Sequence, residues 1–193
     1  MQFCCDNVAM RGLRFLLVCA AATAGFGATL GTMDLDGKAV DPFAAPAKVR
    51  VLVFVRTDCP VSNRYAPELK RLDHEFGARG AVFSIVYADP SETSANIRHH
   101  MEEYAFPGSA IRDPAHALVR RAKATITPEA AVFSGSGELL YHGRIDNRYV
   151  EVGKSMPSPT RHDLEDAIAA ALDGRPQPEA SAPAVGCYLV DVE

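Results

Sequence analysis

The stretch that decides the fold begins with the apolar run Val51-Leu-Val-Phe-Val55 and continues as Cys59-Pro-Val-Ser-Asn-Arg-Tyr-Ala-Pro-Glu-Leu69. A continuous apolar run of this length is typical of a strand that is buried on both faces of a sheet. The second segment has the apolar spacing of a helix. Cys59 therefore lies where a buried strand gives way to a helix N-terminus. Unpaired backbone N–H groups and the helix dipole favour a thiolate there, which makes Cys59 the leading candidate for redox chemistry or soft-metal binding.

The N-terminus has the order of an export signal. Arg11 and Arg14 precede the apolar run 15–24, which is followed by small residues. The run is too short to span a bilayer comfortably, and Ala22-Thr23-Ala24 offers a cleavage site. We therefore predict a signal peptide over residues 1–24, an exported protein that is periplasmic or secreted, and no stable membrane span after the signal is removed.

Two cysteines remain after the predicted cleavage. Cys4, Cys5 and Cys19 leave with the signal, so the mature chain keeps Cys59 and Cys187. Two cysteines in an oxidising compartment most often mean a disulfide, which is either structural or catalytic. The sequence alone does not prove that the two residues meet.

Length and charge narrow the classes of function. The chain has 193 residues, a length that suits a single domain with a full core. We assign residues 25–174 to that domain and residues 175–193 to an extended tail that carries Cys187. The net charge of −4, without basic clusters, makes nucleic acid a poor partner.

Strand and helix signals alternate along the domain. Asp89-Pro90 and Asp113-Pro114 have the form of helix starts, and Thr160 is predicted to begin the last helix. The remaining predicted elements are strands at 32–37, 81–87, 130–133, 139–142 and 188–190. The strands at 130–133 and 139–142 are separated by Ser-Gly-Ser-Gly and should form an antiparallel hairpin. This order predicts an α/β fold with a central mixed sheet flanked by helices.

Three motifs carry a family resemblance. Cys59-Pro-Val-Ser62 at the strand-to-helix junction, Ala66-Pro67 within the helix and Thr127-Pro128 before the hairpin resemble a thioredoxin-like fold. In particular, the chain is similar to exported redoxin-like proteins related to the peroxiredoxin (AhpC/TSA) group. The resemblance covers about residues 30–173. It implies a cis Thr127-Pro128 bond beside Cys59, where the Thr127 backbone pairs with an extended thiol substrate or with the tail.

The sequence also departs from this family pattern. Ser62 stands where thioredoxins have a second cysteine, so any disulfide of Cys59 must form with Cys187, a partner protein or a small thiol. Arg56 stands where peroxiredoxins have a threonine, which disfavours peroxide reduction. Arg56 and Arg64 are expected to lower the pKa of the Cys59 thiol, and the adjacent Asp58 is expected to raise it.

These observations predict a thiol-disulfide oxidoreductase without a cofactor or metal. Cys59 attacks a disulfide of a protein substrate, or less readily a peroxide, and Cys187 resolves the product into an intramolecular bond. An external reductant then restores the dithiol. The predicted site consists of Cys59, Cys187, Thr127, Pro128 and Arg64.

Two alternatives belong to other classes. An SCO-like copper-binding or metal-delivery protein would use Cys59 and Cys187 with one histidine, of which His142 is the best placed. A non-catalytic interaction domain would keep the fold and a structural disulfide, and it predicts that Cys59 is buried and unreactive.

Overall fold

The computed structural model describes residues 30–178 and 183–189, so the predicted signal peptide lies outside the described residues. The helices are α1 (Pro60–Gly77), α2 (Ser94–Glu103), α3 (Ala117–Ala122) and α4 (Asp163–Leu172). The strands are β1 (Val49–Val55), β2 (Ala81–Tyr87), β3 (Ser109–Arg112), β4 (Ile126–Thr127), β5 (Glu129–Ser134), β6 (Leu139–Gly143), β7 (Tyr149–Glu151), β8 (Lys154–Ser155) and β9 (Cys187–Tyr188).

A five-stranded mixed sheet forms the centre of the fold. Its strand order is β3-β2-β1-β5-β6. The strands β1, β2 and β3 are parallel to one another, whereas β5 runs antiparallel to β1 and β6 antiparallel to β5. This arrangement confirms the predicted central mixed sheet and its hairpin.

The side chains of β1 divide the core into two parts. Val51 and Val53 point to the face that is covered by α1 and α4, whereas Leu52 and Phe54 point to the face that is covered by α3. This division follows from the alternation of side chains along a strand. Both sets are buried, as the continuous apolar run predicts.

Cys59 lies between the end of the central strand β1 and the start of helix α1. Cys59 is the N-cap residue, and Pro60 occupies the first turn, where a missing N–H costs no helical hydrogen bond. The apolar side chains at helical spacing are buried against the sheet; they are Tyr65, Leu69, Leu72 and Phe76. No side chain caps the helix, so its N-terminal N–H groups remain directed towards the cysteine.

The predicted start of α2 at Asp89 is wrong. The helix begins at Ser94, and the Thr93 hydroxyl accepts a hydrogen bond from the Asn96 backbone N–H at 3.2 Å. Asp89 instead accepts the N–H of Ser91 at 2.9 Å. The aspartate therefore stabilises a turn, an alternative that Asp side chains offer as readily as a helix cap.

The predicted start of α4 at Thr160 is also wrong, since this helix begins at Asp163. The Asn147 side-chain oxygen accepts hydrogen bonds from the N–H groups of Thr160 and Arg161 at 2.8 and 3.0 Å. These bonds hold the segment outside the helix. The short helix α3 likewise begins three residues after Pro114.

Two strand assignments also differ from the sequence-based expectation. The edge strand β3 was not predicted, because its four residues carry no clear alternation of apolar and polar side chains. The predicted strand at 32–37 is reduced to isolated bridges of Met33 with Ala39 and Arg112.

The tail returns to the domain as a strand. Within β9, Cys187 pairs with Thr127 and Tyr188 pairs with Ile126, in antiparallel register. The next residue, Leu189, is buried in the core part beside α3, and its N–H donates to the Thr125 carbonyl at 3.2 Å. The predicted tail strand therefore exists but begins one residue earlier, and Val190 lies outside the described residues.

Across residues 30–178 and 183–189, none of the helices is both long enough and apolar enough to cross a membrane.

A buried carboxylate fixes the short strand to which the tail binds. Glu129 is only 6% exposed, and its side chain accepts the backbone N–H groups of Thr125 and Ile126 at 2.9 and 3.3 Å. Glu129 therefore orders the backbone just before Thr127.

We predict that Glu129→Ala lowers the free energy of unfolding by about 3 kcal/mol, because it leaves two backbone donors without their charged acceptor. The matched substitution Glu138→Ala, at an exposed position in the β5–β6 turn, should change it by less than about 0.5 kcal/mol. Urea unfolding of both variants measures the difference. Equal stabilities would contradict the role given to Glu129.

Candidate active site

Cys59 lies at the base of the site and is fully buried, with an exposed fraction of 0%. Its thiol donates a hydrogen bond to the Thr127 carbonyl at 3.3 Å. The Thr127-Pro128 peptide bond is cis, as the family resemblance implies. The strand-to-helix junction and the cis-proline loop therefore meet at the Cys59 sulfur.

The tail brings Cys187 to the same point. Cys59 and Cys187 are both free thiols, and they are neighbours: Cys187 lies opposite Thr127 in the β4–β9 pairing, and each thiol shifts the pKa of the other. The Thr127 hydroxyl donates to the Cys187 carbonyl at 3.2 Å. The structure thus assembles Cys59, Cys187, Thr127 and Pro128, which the sequence analysis placed in one site.

The approach of the tail to the cis-proline loop requires a glycine. A Cβ atom at Gly186 would lie 1.8 Å from the Thr127 carbonyl oxygen and 3.2 Å from the Pro128 ring. Neither backbone can yield while β4 and β9 stay paired. Gly186 is therefore a condition for placing Cys187 beside Cys59.

The surroundings shift the pKa values of the two thiols in opposite directions. Burial acts to raise the pKa of Cys59, but the hydrogen bonds that the Ser62 hydroxyl and backbone N–H, Cys187 and Thr127 offer to the thiolate outweigh it and lower the pKa. Burial, the contact with Cys59 and the charge of Asp58 raise the pKa of Cys187 to about 11. Cys59 therefore ionises first, and Cys187 retains the proton that it donates to the Cys59 thiolate.

Ser62 is a candidate functional residue that the sequence analysis treated only as the position of a missing cysteine. It is fully buried in the first turn of α1, and its hydroxyl makes no hydrogen bond within the described residues, so it is available to donate to the Cys59 thiolate. Its position three residues after Cys59 places it on the same helix face. That spacing was the available signal, because a hydroxyl on this face stabilises a thiolate at the N-cap.

The arginines play a different part from the one expected. The Arg56 guanidinium binds both carboxylate oxygens of Asp58, at 3.0 and 2.9 Å, and donates to the Tyr188 carbonyl at 3.3 Å. Arg64 is exposed on α1 and makes no hydrogen bond or ion pair with Cys59. Hydrogen bonds at Ser62, rather than either arginine, therefore dominate the lowering of the Cys59 pKa.

A chain of buried hydrogen bonds supports the loop that precedes Cys59. Asn63 donates from Nδ2 to the Thr57 carbonyl at 3.3 Å, which leaves Asn63 Oδ1 to accept from His100 Nε2 at 2.7 Å. Since His100 Nε2 carries the hydrogen, Nδ1 accepts from the Tyr87 hydroxyl at 2.8 Å. Burial lowers the pKa of His100, which favours this neutral tautomer.

The structure does not bring His142 to the two cysteines. His142 lies on the edge strand β6, with Nδ1 3.5 Å from a Glu129 carboxylate oxygen. Within the described residues, the one group with metal-ligand spacing is Glu68, His162 and Glu165, and both of its carboxylates bind Arg71. The three-ligand copper site considered from the sequence is therefore not assembled.

Solved structures show the class of fold. An uncharacterized conserved protein from Geobacillus kaustophilus is 24% identical over 80% of this chain and 83% of its own, with a TM-score of 0.69. A hypothetical protein from Sinorhizobium meliloti 1021 is 20% identical over 80% and 86%, with a TM-score of 0.68. A secreted disulfide oxidoreductase of Mycobacterium tuberculosis, described as homologous to E. coli DsbE, is 15% identical over 74% and 93%, with a TM-score of 0.50. The fold is thioredoxin-like.

The sequence profile of the Redoxin family matches residues 21–167, and the chain belongs to that family. No curated protein matches the chain. Family and fold together support a thioredoxin-like redox function.

We predict that Ser62→Ala raises the pKa of Cys59, because the thiolate loses a buried hydroxyl donor. The ultraviolet absorbance of the thiolate, followed against pH in a Cys187→Ser background, measures the change. Ser155→Ala, at an exposed position in β8, is the matched control and should leave the titration unchanged. A Ser62→Ala titration that overlays the control would exclude Ser62 as the donor.

We also predict that His100→Phe lowers the free energy of unfolding by about 2 to 4 kcal/mol, since it leaves Asn63 and Tyr87 without buried partners while keeping an aromatic ring. His99→Phe is the matched control, because the neighbouring histidine side chain is 78% exposed. Its effect should stay below about 0.5 kcal/mol. Chemical unfolding of both variants measures these free energies. Similar losses of stability in the two variants would contradict the proposed chain of hydrogen bonds.

Proposed function

We propose that this chain is an extracytoplasmic thiol-disulfide oxidoreductase whose redox pair is Cys59 and Cys187. The observation that carries the proposal is the pair of neighbouring free thiols that meet at the Thr127 backbone beside the cis Thr127-Pro128 bond. One thiol has a lowered pKa and the other a raised one, which separates the roles of nucleophile and proton-holding partner.

In the first step, the Cys59 thiolate attacks one sulfur of a substrate disulfide. A bond forms between the Cys59 sulfur and that sulfur, the substrate S–S bond breaks, and the second substrate sulfur leaves as a thiolate that takes a proton. The backbone edge of Thr127 offers a pairing site for an extended substrate segment once the tail strand has released it.

In the second step, Cys187 resolves the mixed disulfide. Its thiolate attacks the Cys59 sulfur, forms the Cys59–Cys187 bond and releases the remaining substrate thiol. The net result is reduction of the substrate disulfide and oxidation of the protein dithiol. An external dithiol reductant completes the cycle by reducing the intramolecular bond.

Two further points support this assignment. Peroxide reduction is disfavoured because the Thr57 hydroxyl donates a hydrogen bond to Glu92 and is therefore not available to the Cys59 thiol.

Export is supported by the apolar run at 15–24, which follows Arg11 and Arg14, and by the likeness to a secreted disulfide oxidoreductase. Protein thiols or disulfides of an oxidising compartment are therefore the proposed substrates.

Equilibration of the purified protein in a series of glutathione redox buffers tests the proposal. We expect a Cys59–Cys187 bond that forms and opens reversibly, as measured by thiol trapping and mass spectrometry. A bond that stays closed until the protein unfolds would make the disulfide structural. Two thiols that stay free under oxidising conditions would reject the redox pair, and binding of Cu(I) by those thiols would favour a metal-delivery function.

The Gly186→Ala variant tests whether tail docking creates the pair. The added Cβ would collide with the Thr127 carbonyl oxygen, so the β4–β9 pairing should be lost and formation of the intramolecular bond should slow at least about tenfold, an effective-concentration effect. Gly77→Ala, at the end of α1, is the control, because its added Cβ would make only an ordinary contact, with an Asp73 carboxylate oxygen at 3.9 Å. Both positions have to be compared by the same trapping assay. An unchanged rate in Gly186→Ala would contradict the docking argument.

A further inference from the structure

Only one cysteine of the redox pair is exposed to solvent. Cys59 is fully buried, whereas Cys187 is partly exposed and is followed by Tyr188, whose exposed fraction is 80%. Because the two cysteines already meet at the Thr127 backbone, a bond between them requires little movement of the tail. The oxidised pair should therefore keep the same asymmetry of access.

The direction of attack strengthens this asymmetry. Thiol-disulfide exchange proceeds with the attacking sulfur, the attacked sulfur and the leaving sulfur nearly in line. Attack on Cys59 would have to come from the side opposite Cys187, and Cys59 is fully buried in the same core cluster as Val61, Tyr65 and Ala66. Cys187, in contrast, is partly exposed to solvent.

The better leaving group is also on the buried side. Hydrogen bonds from Ser62 lower the pKa of Cys59, whereas the pKa of Cys187 is raised to about 11. A thiolate of lower pKa leaves faster from a disulfide. Access and leaving-group chemistry therefore favour the same bond cleavage.

We propose that an external dithiol partner opens the Cys59–Cys187 disulfide by attacking the Cys187 sulfur, so that Cys187 is the residue through which the protein exchanges electrons with its reductant. This inference rests on the proposed function. It assigns Cys187 a second role besides resolving the substrate complex, namely that of the electrophile in the reductive half of the cycle.

The step balances without any further reactant. The partner thiolate forms a bond to the Cys187 sulfur, the Cys59–Cys187 bond breaks, and its electron pair stays on Cys59 as the stabilised thiolate. The second thiol of the partner then attacks its own mixed-disulfide sulfur and releases Cys187, which takes a proton. The partner leaves as a disulfide, and the protein returns to the dithiol.

The test begins with wild-type protein whose Cys59–Cys187 bond has been verified by mass. Glutathione is added as the probe, samples are quenched with acid over a time series, and free thiols are blocked with N-ethylmaleimide before peptide mass spectrometry. At the earliest times, glutathione on Cys187 with a blocked Cys59 should exceed the reverse product by at least about tenfold. Equal amounts, or an excess of glutathione on Cys59, would overturn the inference.

Two variants test whether burial selects the sulfur. Leu189→Ala removes the buried side chain that anchors the tail next to Cys187, so the excess of the Cys187 adduct should fall several-fold. Val152→Ala, which shortens an exposed side chain between β7 and β8, should keep the wild-type ratio. Equal ratios of the Cys187 adduct to the Cys59 adduct in the two variants would contradict the claim that burial selects the attacked sulfur.

Failure of this inference is distinguishable from failure of the proposed function. If oxidation gives no Cys59–Cys187 bond, the redox pair itself is rejected. If the bond forms reversibly but opens at Cys59, the oxidoreductase assignment stands and only the route of reduction is wrong.

Discussion

The site depends on the antiparallel pairing of the tail strand with the backbone just before the cis proline. This pairing brings Cys187 next to Cys59, while the Thr127 carbonyl oxygen accepts a hydrogen bond from the Cys59 thiol at 3.3 Å. Glu129 orders one side of the pairing, and Gly186 permits the close approach of the other. In a C-x-x-C motif the second thiol lies one helical turn after the first, but here that position is Ser62. The second thiol is instead Cys187, which the tail contributes from a distant part of the sequence.

The docked tail covers groups that the proposed cycle uses. With the tail in place, Cys59 is fully buried and the edge of Thr127 is occupied. In the proposed cycle, a substrate segment and the tail therefore compete for one strand position. The two halves of the proposed cycle then use different surfaces: the Thr127 edge for the substrate disulfide, and the partly exposed Cys187 for the reductant.

Sequence reasoning recovered the features that depend on strong local patterns. The buried run at Val51–Val55 predicted the central strand, and the helical spacing after Cys59 predicted α1. It failed where polar side chains had alternative partners, as at Asp89, which stabilises a turn instead of α2. For Ser62 the sequence offered only its spacing from Cys59, because its role also depends on burial and on a hydroxyl that makes no other hydrogen bond in the described part of the chain.

The central claim is that Cys59 and Cys187 form an unequal pair in which Cys59 ionises first. The measurement that tests it most directly is an NMR titration of the Cβ carbons of both cysteines in the reduced protein. The account predicts that Cys59 titrates below the ordinary range of a thiol and that Cys187 titrates near pH 11. Ionisation of Cys187 before Cys59, or two independent titrations at ordinary thiol pKa values, would contradict it.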